Sequence, residues 1–503
     1  RIMYNKKIII SKSKYMAGLQ CPRYMWYQVH AREKIPGPDF STRFMFHQGH
    51  LVGEYAKKLF PEGIDLGKMK DIGKQLAKTA ELLPQRRPIF EASAGTGDLY
   101  SRADILKPAP GGAWDIIEVK SATTVKEEYI NDAAFQKYTF LAAGIKIENC
   151  YLAVIDSSYV KNKDIDHEKL FYIHDVSEQA DELLPGMPGK IAGMLEMLEN
   201  PEPPETGIGR QCHSPYTCPL KSICWEHMPD NHVFNLYGNK DRAVELCARG
   251  ILSIDDIPDD YDLTLKQEIQ RECASSRKPY IDKGHLVRFL EKLKEPLYFF
   301  DFETYSTAIP IYEGTSPFQR IPFQYSIHVV DDLYGKSRHH DFLASGSGDP
   351  RKELLENLKK HLGGPGSIIV YYDYFEKGIL RELAGEYPEY AEWVESVIPR
   401  IVDLYRPFRD FYYYNSIQKG SASVKNVLPA ITGYSYRDMD IADGLSASVY
   451  FLYACGHYRI KESCPSPREV EKIRKDLITY CRMDTGGMIH ILRGLKEAVG
   501  HAH

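Results

Sequence analysis

Two carboxylates and an amine stand at close spacing in the first third of the chain. In WDIIEVKSAT (114–123), strand alternation sets Ile116, Glu118 and Lys120 on one face, and SRADIL (101–106) supplies Asp104 at a hairpin's distance. Two carboxylates can hold a hard divalent cation, and a lysine beside them can orient or help activate water or steady a phosphate oxygen. That combination suits phosphodiester hydrolysis. On spacing alone, a Glu and a Lys on an exposed strand face fit a solvated pair equally well.

A second acidic set lies further along. In LYFFDFETY (297–305) the alternation places Phe299, Asp301 and Glu303 together at the end of an apolar strand. Burying two carboxylates side by side is costly without a cation. In ITYCRMDTGGMIHIL (478–492), Tyr480 and Asp484 are four residues apart and share a helix face. Thiols form a third group: QCHSPYTCPLKSICW (211–225) holds Cys212, Cys218 and Cys224, five residues between neighbours. Ten cysteines at irregular spacing argue against a disulfide framework and for a reduced compartment, where clustered thiols bind metal. Zinc accepts thiolates, although its usual sites pair cysteines two to four residues apart. Cys150, Cys247, Cys273, Cys455, Cys464 and Cys481 read as ordinary core or surface thiols.

The elements that must position these groups follow from pattern. At 503 residues with 43% hydrophobic content, the chain exceeds one core and predicts two or three domains. SKSKYMAGLQCPRYMWYQVH (11–30) begins with a capping Ser and is interrupted at Cys21-Pro22. RRPIFEASA, LYSRADILKP and WDIIEVKSAT read as successive strands, followed by a helix at 126–143, a strand at 149–155 and a helix around 176–199. Residues 232–295 are charged and helical in pattern. There DRAVELCARGILSIDDIPDD predicts a helix, a turn at Gly250 and another helix, either an ordinary bundle or a helix-hairpin-helix contact to a phosphate backbone. A new α/β domain opens near 296 and ends in a helix at 469–498. Net charge is -5, yet residues 1–35 carry eight Lys or Arg against Glu33 alone, either a nucleic-acid surface or a solvated tail. No apolar run approaches the ~20 residues of a membrane span, and Ile8–Ile10 is short for a secretory signal, so a cytoplasmic protein without membrane partners is expected.

Asp104, the Glu118-Val119-Lys120 triplet and DAAFQKYTFLAAG (132–144) together resemble the RecB-like branch of the PD-(D/E)XK nucleases. The resemblance implies catalytic roles for Asp104, Glu118, Lys120, Gln136 and Tyr138, with Asp104 and Glu118 on the metal; Phe140 stands where the branch's Q-x-x-x-Y would have Tyr. Where the branch often has G-x-x-x-H, Gly49 is followed by Gly53, so His50 and Glu54 are expected on an ordinary helix surface. Such nucleases commonly hold a [4Fe-4S] cluster by one cysteine before the core and three after it, which implies Cys21 with Cys212, Cys218 and Cys224.

DFET with YCRMD is similar to the DEDD exonucleases of the RNase-H-like fold, in the subtype ending Y-x-x-x-D. That likeness implies Asp301, Glu303, Glu376 and Asp484 on Mg2+ or Mn2+, with Tyr480 orienting water. In YYDYFEKGIL (371–380), Glu376 stands in the place of the usual Asp and Tyr372 in that of Asn, with Asp373 and Asp403 as spare candidates.

The whole order resembles predicted RecB-family nucleases fused to an RNase-H-like exonuclease. The expected fold is α/β: a PD-(D/E)XK restriction-endonuclease-like domain over 1–230, a helical linker over 231–295, and an RNase-H-like (DnaQ-type) domain over 296–503. The expected function is metal-dependent hydrolysis of nucleic acid, DNA ahead of RNA, on single strands or ends, in repair or defence, with a helicase or other protein as an open partner. Its rivals are a nucleic-acid-binding scaffold with one inactive centre and a zinc-stabilised RNA-processing nuclease.

Overall fold

The computed structural model describes residues 8–436, 439–459 and 463–501. Arg1, Lys6 and Lys7 of the basic opening lie outside the described residues. The chain is mixed α/β and divides into two units.

The first unit comprises residues 1–226 with 307–319. Its seven-stranded sheet is built from β1 (Ile10–Ser11), β2 (Ile64–Asp65), β3 (Ile89–Thr96), β4 (Leu99–Pro108), β5 (Trp114–Lys120), β6 (Ile147–Ile155) and β7 (Phe171–Asp175), in the order β2-β3-β4-β5-β6-β7 with β1 beside β4. Strands β3, β4 and β5 form an antiparallel meander, and the helix Glu127–Ala142 carries the chain across to β6, parallel to β5. Alternation along β5 explains why both faces are covered. Ile116 joins Ala103, Leu152, Phe135 and Phe140 in one core, where Tyr15 of the helix Lys12–Gln20 stacks on Phe135 at 4.5 Å. Ile117 joins Phe90, Ile105, Ala153 and Ile155 in the other, against Val52 and Ala56 of the helix Phe40–Lys57. Pro22 opens a second helix, Pro22–His30, so Cys21 sits at the break where the proline requires it.

The second unit comprises residues 227–306 and 320–503. Here β8 (Tyr280–Ile281) pairs with β14 (Tyr413–Tyr414), while β9 (Leu297–Tyr305), β10 (Ile321–Val330), β11 (Ser337–Leu343), β12 (Ile368–Val370) and β13 (Ile401–Asp403) form a sheet in the order β11-β10-β9-β12-β13. The first three of that order pair antiparallel and the last three parallel. Phe300, Phe302, Tyr325 and Ile327 point into a core with Leu354, Leu355, Ile379 and Leu380. The opposite face carries Asp301 and Glu303, in register with Ser326 and Gln324. Gln324 Nε2 donates to the Leu477 carbonyl at 2.9 Å, and Ser326 Oγ lies 2.7 Å from Thr485 Oγ1, so the helix Pro467–His501 lies over that face.

Two expected boundaries differ. Residues 231–295 do not stand apart as a linker: Lys266 Nζ donates to the Arg409 carbonyl at 2.7 Å and Gln270 Nε2 to Tyr414 Oη at 3.2 Å, within the second unit. Nor does a second helix follow Gly250. The chain turns there at φ +79 into a short 3-10 turn, Ile254–Asp256, and the next helix is Leu265–Ser276. Residues 307–319 group with the first unit, where Gln48 Oε1 accepts from the Ala308 amide at 2.9 Å and Lys161 Nζ donates to the Ile311 carbonyl at 2.6 Å. Among the described residues no helix is long and apolar enough to cross a membrane.

Candidate functional site

In the first unit the β4–β5 ladder pairs Ile105 with Ile117, and continuing its register brings Asp104 opposite Glu118. Asp104 Oδ2 accepts from the Val119 amide at 2.8 Å. Glu118 is 2% exposed, and its oxygens are closely used: Oε1 accepts from Lys120 Nζ at 2.7 Å and Lys12 Nζ at 2.8 Å, Oε2 from Gln136 Nε2 at 2.6 Å. Asp132, one turn before Gln136 on the helix Glu127–Ala142, accepts from Lys120 at 2.6 Å and Gln136 at 3.0 Å and lies 3.5 Å from Lys12. Burial opposes ionisation of Glu118, but the Lys12 and Lys120 ammoniums outweigh it and hold the group well below the usual carboxylate range. Asp104 moves the other way, to about 7, through burial and the Glu118 charge.

Asp104, Glu118, Lys120 and Gln136 thus come together, and Tyr138 does not. Two residues beyond Gln136, a helix turns by about 200°, and Tyr138 packs against the hydrophobic core instead. Lys12 and Asp132 join this group from outside the motifs. In the sequence Asp132 is marked by its i, i+4 spacing to Gln136; Lys12 carries no such mark, because only the tertiary fold returns it to β5. A cavity of about 240 Å³ over Asp104 and Glu118 is lined also by His50, Glu54, Lys57 and Glu91. The helix surface expected to be ordinary at His50 and Glu54 therefore borders the acidic groups. Glu91 adopts φ +58, unusual for a residue with a side chain, and its carboxylate accepts from Arg102 Nε at 2.8 Å.

The second unit gathers a different set. Asp301 and Glu303 on β9 meet Asp484 and Tyr480 from the helix Pro467–His501 and Glu376 from the helix Asp373–Glu386. Burial and the Asp484 charge push Asp301 well above its ordinary value; burial, Asp301 and Asp484 do the same to Glu303; burial and Asp301 do so to Glu376. Asp484 rises to about 6 through burial, opposed by hydrogen bonds from Tyr436 and Tyr480 and by Lys425. Tyr436 Oη donates to Asp484 Oδ1 at 2.6 Å. Glu376 Oε2 is buried with no hydrogen-bond partner.

The spare candidates are otherwise engaged: Asp403 Oδ1 accepts from the amides of Tyr372 at 2.9 Å and Tyr405 at 3.0 Å, and Asp373 pairs with Lys377. Cys481, read as an ordinary thiol, is part of the cluster instead. Its Sγ lies 4.0 Å from Asp301 Oδ2, and the donor atoms of Asp301, Glu303 and Cys481 all fall within 4.8 Å of one another. Its position three residues before Asp484 puts both on one helix face, a spacing present in the sequence.

Cys21, Cys212, Cys218 and Cys224 are free thiols. Gln20 Nε2 donates to the carbonyls of Gln211 at 2.9 Å and Tyr216 at 2.7 Å, which fixes the later cysteine loop beside the helix break at Cys21. Burial pushes the Cys218 thiol up to about 11, and the charges of Cys21, Cys212 and Cys224 act in the same direction, so the four are electrostatic neighbours.

Residues 298–423 match a family described as a domain of unknown function, DUF2779, a span that contains Asp301, Glu303 and Glu376. The Uncharacterized protein MG366 homolog of Mycoplasma pneumoniae is 28% identical over 231 residues, 42% of this chain and 33% of the relative. Uncharacterized protein MG366 of Mycoplasma genitalium is 26% identical over 247 residues, 45% and 36%. Uncharacterized protein UU173 of Ureaplasma parvum is 27% identical over 239 residues, 43% and 33%. Each match spans about a third of the relative's own length. A solved structure described as the crystal structure of SSO0001 aligns with 44% of this chain and 89% of its own at a TM-score of 0.23 and 13% identity.

Proposed function

We propose that the chain is a divalent-metal-dependent nuclease with two hydrolytic centres, one on β4 and β5 and one on β9. The observation that carries this reading is the second cluster. Asp301, Glu303, Glu376 and Asp484 are brought together from three elements with Lys425 as a favourable charge, and each is pushed above its ordinary value. Buried acids in this state favour a dication, since the Coulomb gain offsets their desolvation. The sheet order β11-β10-β9-β12-β13 supports an RNase-H-like reading of this unit. The β3–β5 meander, crossover helix and parallel β6 support a PD-(D/E)XK reading of the first.

Mg2+ or Mn2+ bound by these acids would polarise the phosphate and supply hydroxide at neutral pH. In the first centre Lys120, fixed by Glu118 and Asp132, holds a positive charge beside the Glu118 carboxylate, where it would stabilise charge gathering on a phosphate oxygen. Gln136 fixes the Glu118 carboxylate from its other oxygen. Tyr480 and Tyr436 orient Asp484, and the Tyr480 hydroxyl can in turn align a water. Cys21, Cys212, Cys218 and Cys224 suit a [4Fe-4S] cluster, soft thiolates joining two distant segments as a structural tie. DNA, as single strands or ends, is the proposed substrate ahead of RNA.

The test is cleavage of end-labelled DNA and RNA, in Mg2+ and in Mn2+, by Asp301→Asn, Lys120→Ala and the double variant. Each single variant is expected to lose one component by at least about 100-fold, and the double variant both. Full cleavage by the double variant removes the assignment. Iron and sulfide in the purified protein support the cluster; stoichiometric zinc in their place replaces it.

A further inference from the structure

Cys481 is the group in the second cluster that phosphodiester hydrolysis does not use. It is completely buried on the helix Pro467–His501, and its Sγ lies 4.0 Å from Asp301 Oδ2 on β9. Its sulfur, an Asp301 oxygen and a Glu303 oxygen lie within 4.8 Å of one another. Donors around one tetrahedral ion at 2.0–2.3 Å are roughly 3.5 Å apart, so these three need close by only about 1 Å. A second observation points to a ligand. Glu376, 1% exposed, keeps Oε2 buried without a hydrogen-bond partner, and Asp301 is its strongest charged neighbour.

We propose that the second centre also takes a thiophilic dication, Zn2+ or Cd2+, through Asp301, Glu303 and Cys481, with Glu376 as the fourth donor, and that this ion competes with the hard ion of hydrolysis. The inference rests on reading this cluster as a cation centre. An all-oxygen set suits Mg2+ and Mn2+; one thiolate changes the ranking, because sulfur prefers softer ions and zinc stands above manganese in intrinsic affinity. On binding, the Cys481 thiol loses its proton to solvent and the thiolate donates its electron pair to the ion; no redox step is involved. Zinc would then act as an off-switch that displaces the working ion from ligands both need.

The full chain, its other metal sites loaded as purified, is titrated with Cd2+ while the ultraviolet thiolate-to-cadmium band is recorded. In parallel, Zn2+ is titrated against bound Mn2+ followed by electron paramagnetic resonance. The wild-type chain is expected to give one more equivalent of the band than Cys481→Ser, and the variant to require at least about tenfold more Zn2+ to displace Mn2+. Cys481→Ala repeats the comparison if the serine variant does not fold. An equal band and equal displacement in wild type and variants overturn the inference. A Cys481-dependent band in a chain that cleaves nothing keeps this site and removes the nuclease reading. Cleavage in Mg2+ without such a band does the reverse.

Discussion

The two acidic clusters use the same residue types and balance charge in opposite ways. In the first, Glu118 and Asp132 are matched by Lys12 and Lys120 and tied by Gln136. Glu118 is accordingly held ionised, while Asp104 is pushed up, to about 7. In the second, burial and neighbouring acids push Asp301, Glu303 and Glu376 well above their ordinary values, and Lys425, which favours the ionised form of Glu303, does not offset this. A carboxylate cluster supplied with lysines is a preformed, partly neutralised socket. Where such acids lack paired lysines, the proposed cation would supply the missing positive charge, so metal binding and stability would be coupled more tightly there.

This contrast can be broken most severely at Lys120. Lys120→Met leaves Glu118 and Asp132 with Lys12 alone, and removing one partner of a buried pair is expected to lower unfolding free energy by about 3 kcal/mol, measured by urea denaturation. Tyr436→Phe removes the 2.6 Å hydrogen bond to Asp484 and is expected to weaken Mn2+ binding at the second centre by about tenfold, read by titration calorimetry.

A pH series sharpens the comparison further. Asp104 at about 7 and Asp484 at about 6 have folded values above their unfolded ones, so their contributions to stability are present below about pH 4 and are lost as pH rises through those values. Glu118 has the opposite sign: its contribution is present above its unfolded value and is lost only in strong acid. Metal-free protein is therefore expected to lose stability between pH 4 and 7, and saturating Mg2+ to reduce that loss. The smallest effect is expected at Tyr138: Tyr138→Phe should change cleavage by less than about twofold, since the side chain packs into the core.

Local pattern made much of this legible. The strands β3 to β6 and the paired acids on β9 follow from alternation, because a side-chain period of two leaves no choice once one face is apolar. Helix rotation was harder to use. Gln136 and Tyr138 look adjacent in sequence yet lie about 200° apart on the helix. Groups brought in from distant segments left no local trace: Lys12 reaches Glu118 across 106 residues, and Tyr436 reaches Asp484 across 48. The division near 296 was blurred for the same reason, since residues 307–319 bury Ala308 with the first unit's core although the flanking strands belong to the second.

The most direct measurement is the thermal unfolding of chelator-treated Glu118→Gln and Glu303→Gln against wild type, with and without Mn2+. Without metal, Glu118→Gln should unfold earlier, because two lysines lose their shared partner. Glu303→Gln should unfold later, by on the order of 1 kcal/mol, and should gain less from added Mn2+ than wild type does. Shifts of the same sign in both variants, or an unchanged response of Glu303→Gln to Mn2+, would contradict a self-neutralised first centre and a cation-dependent second one.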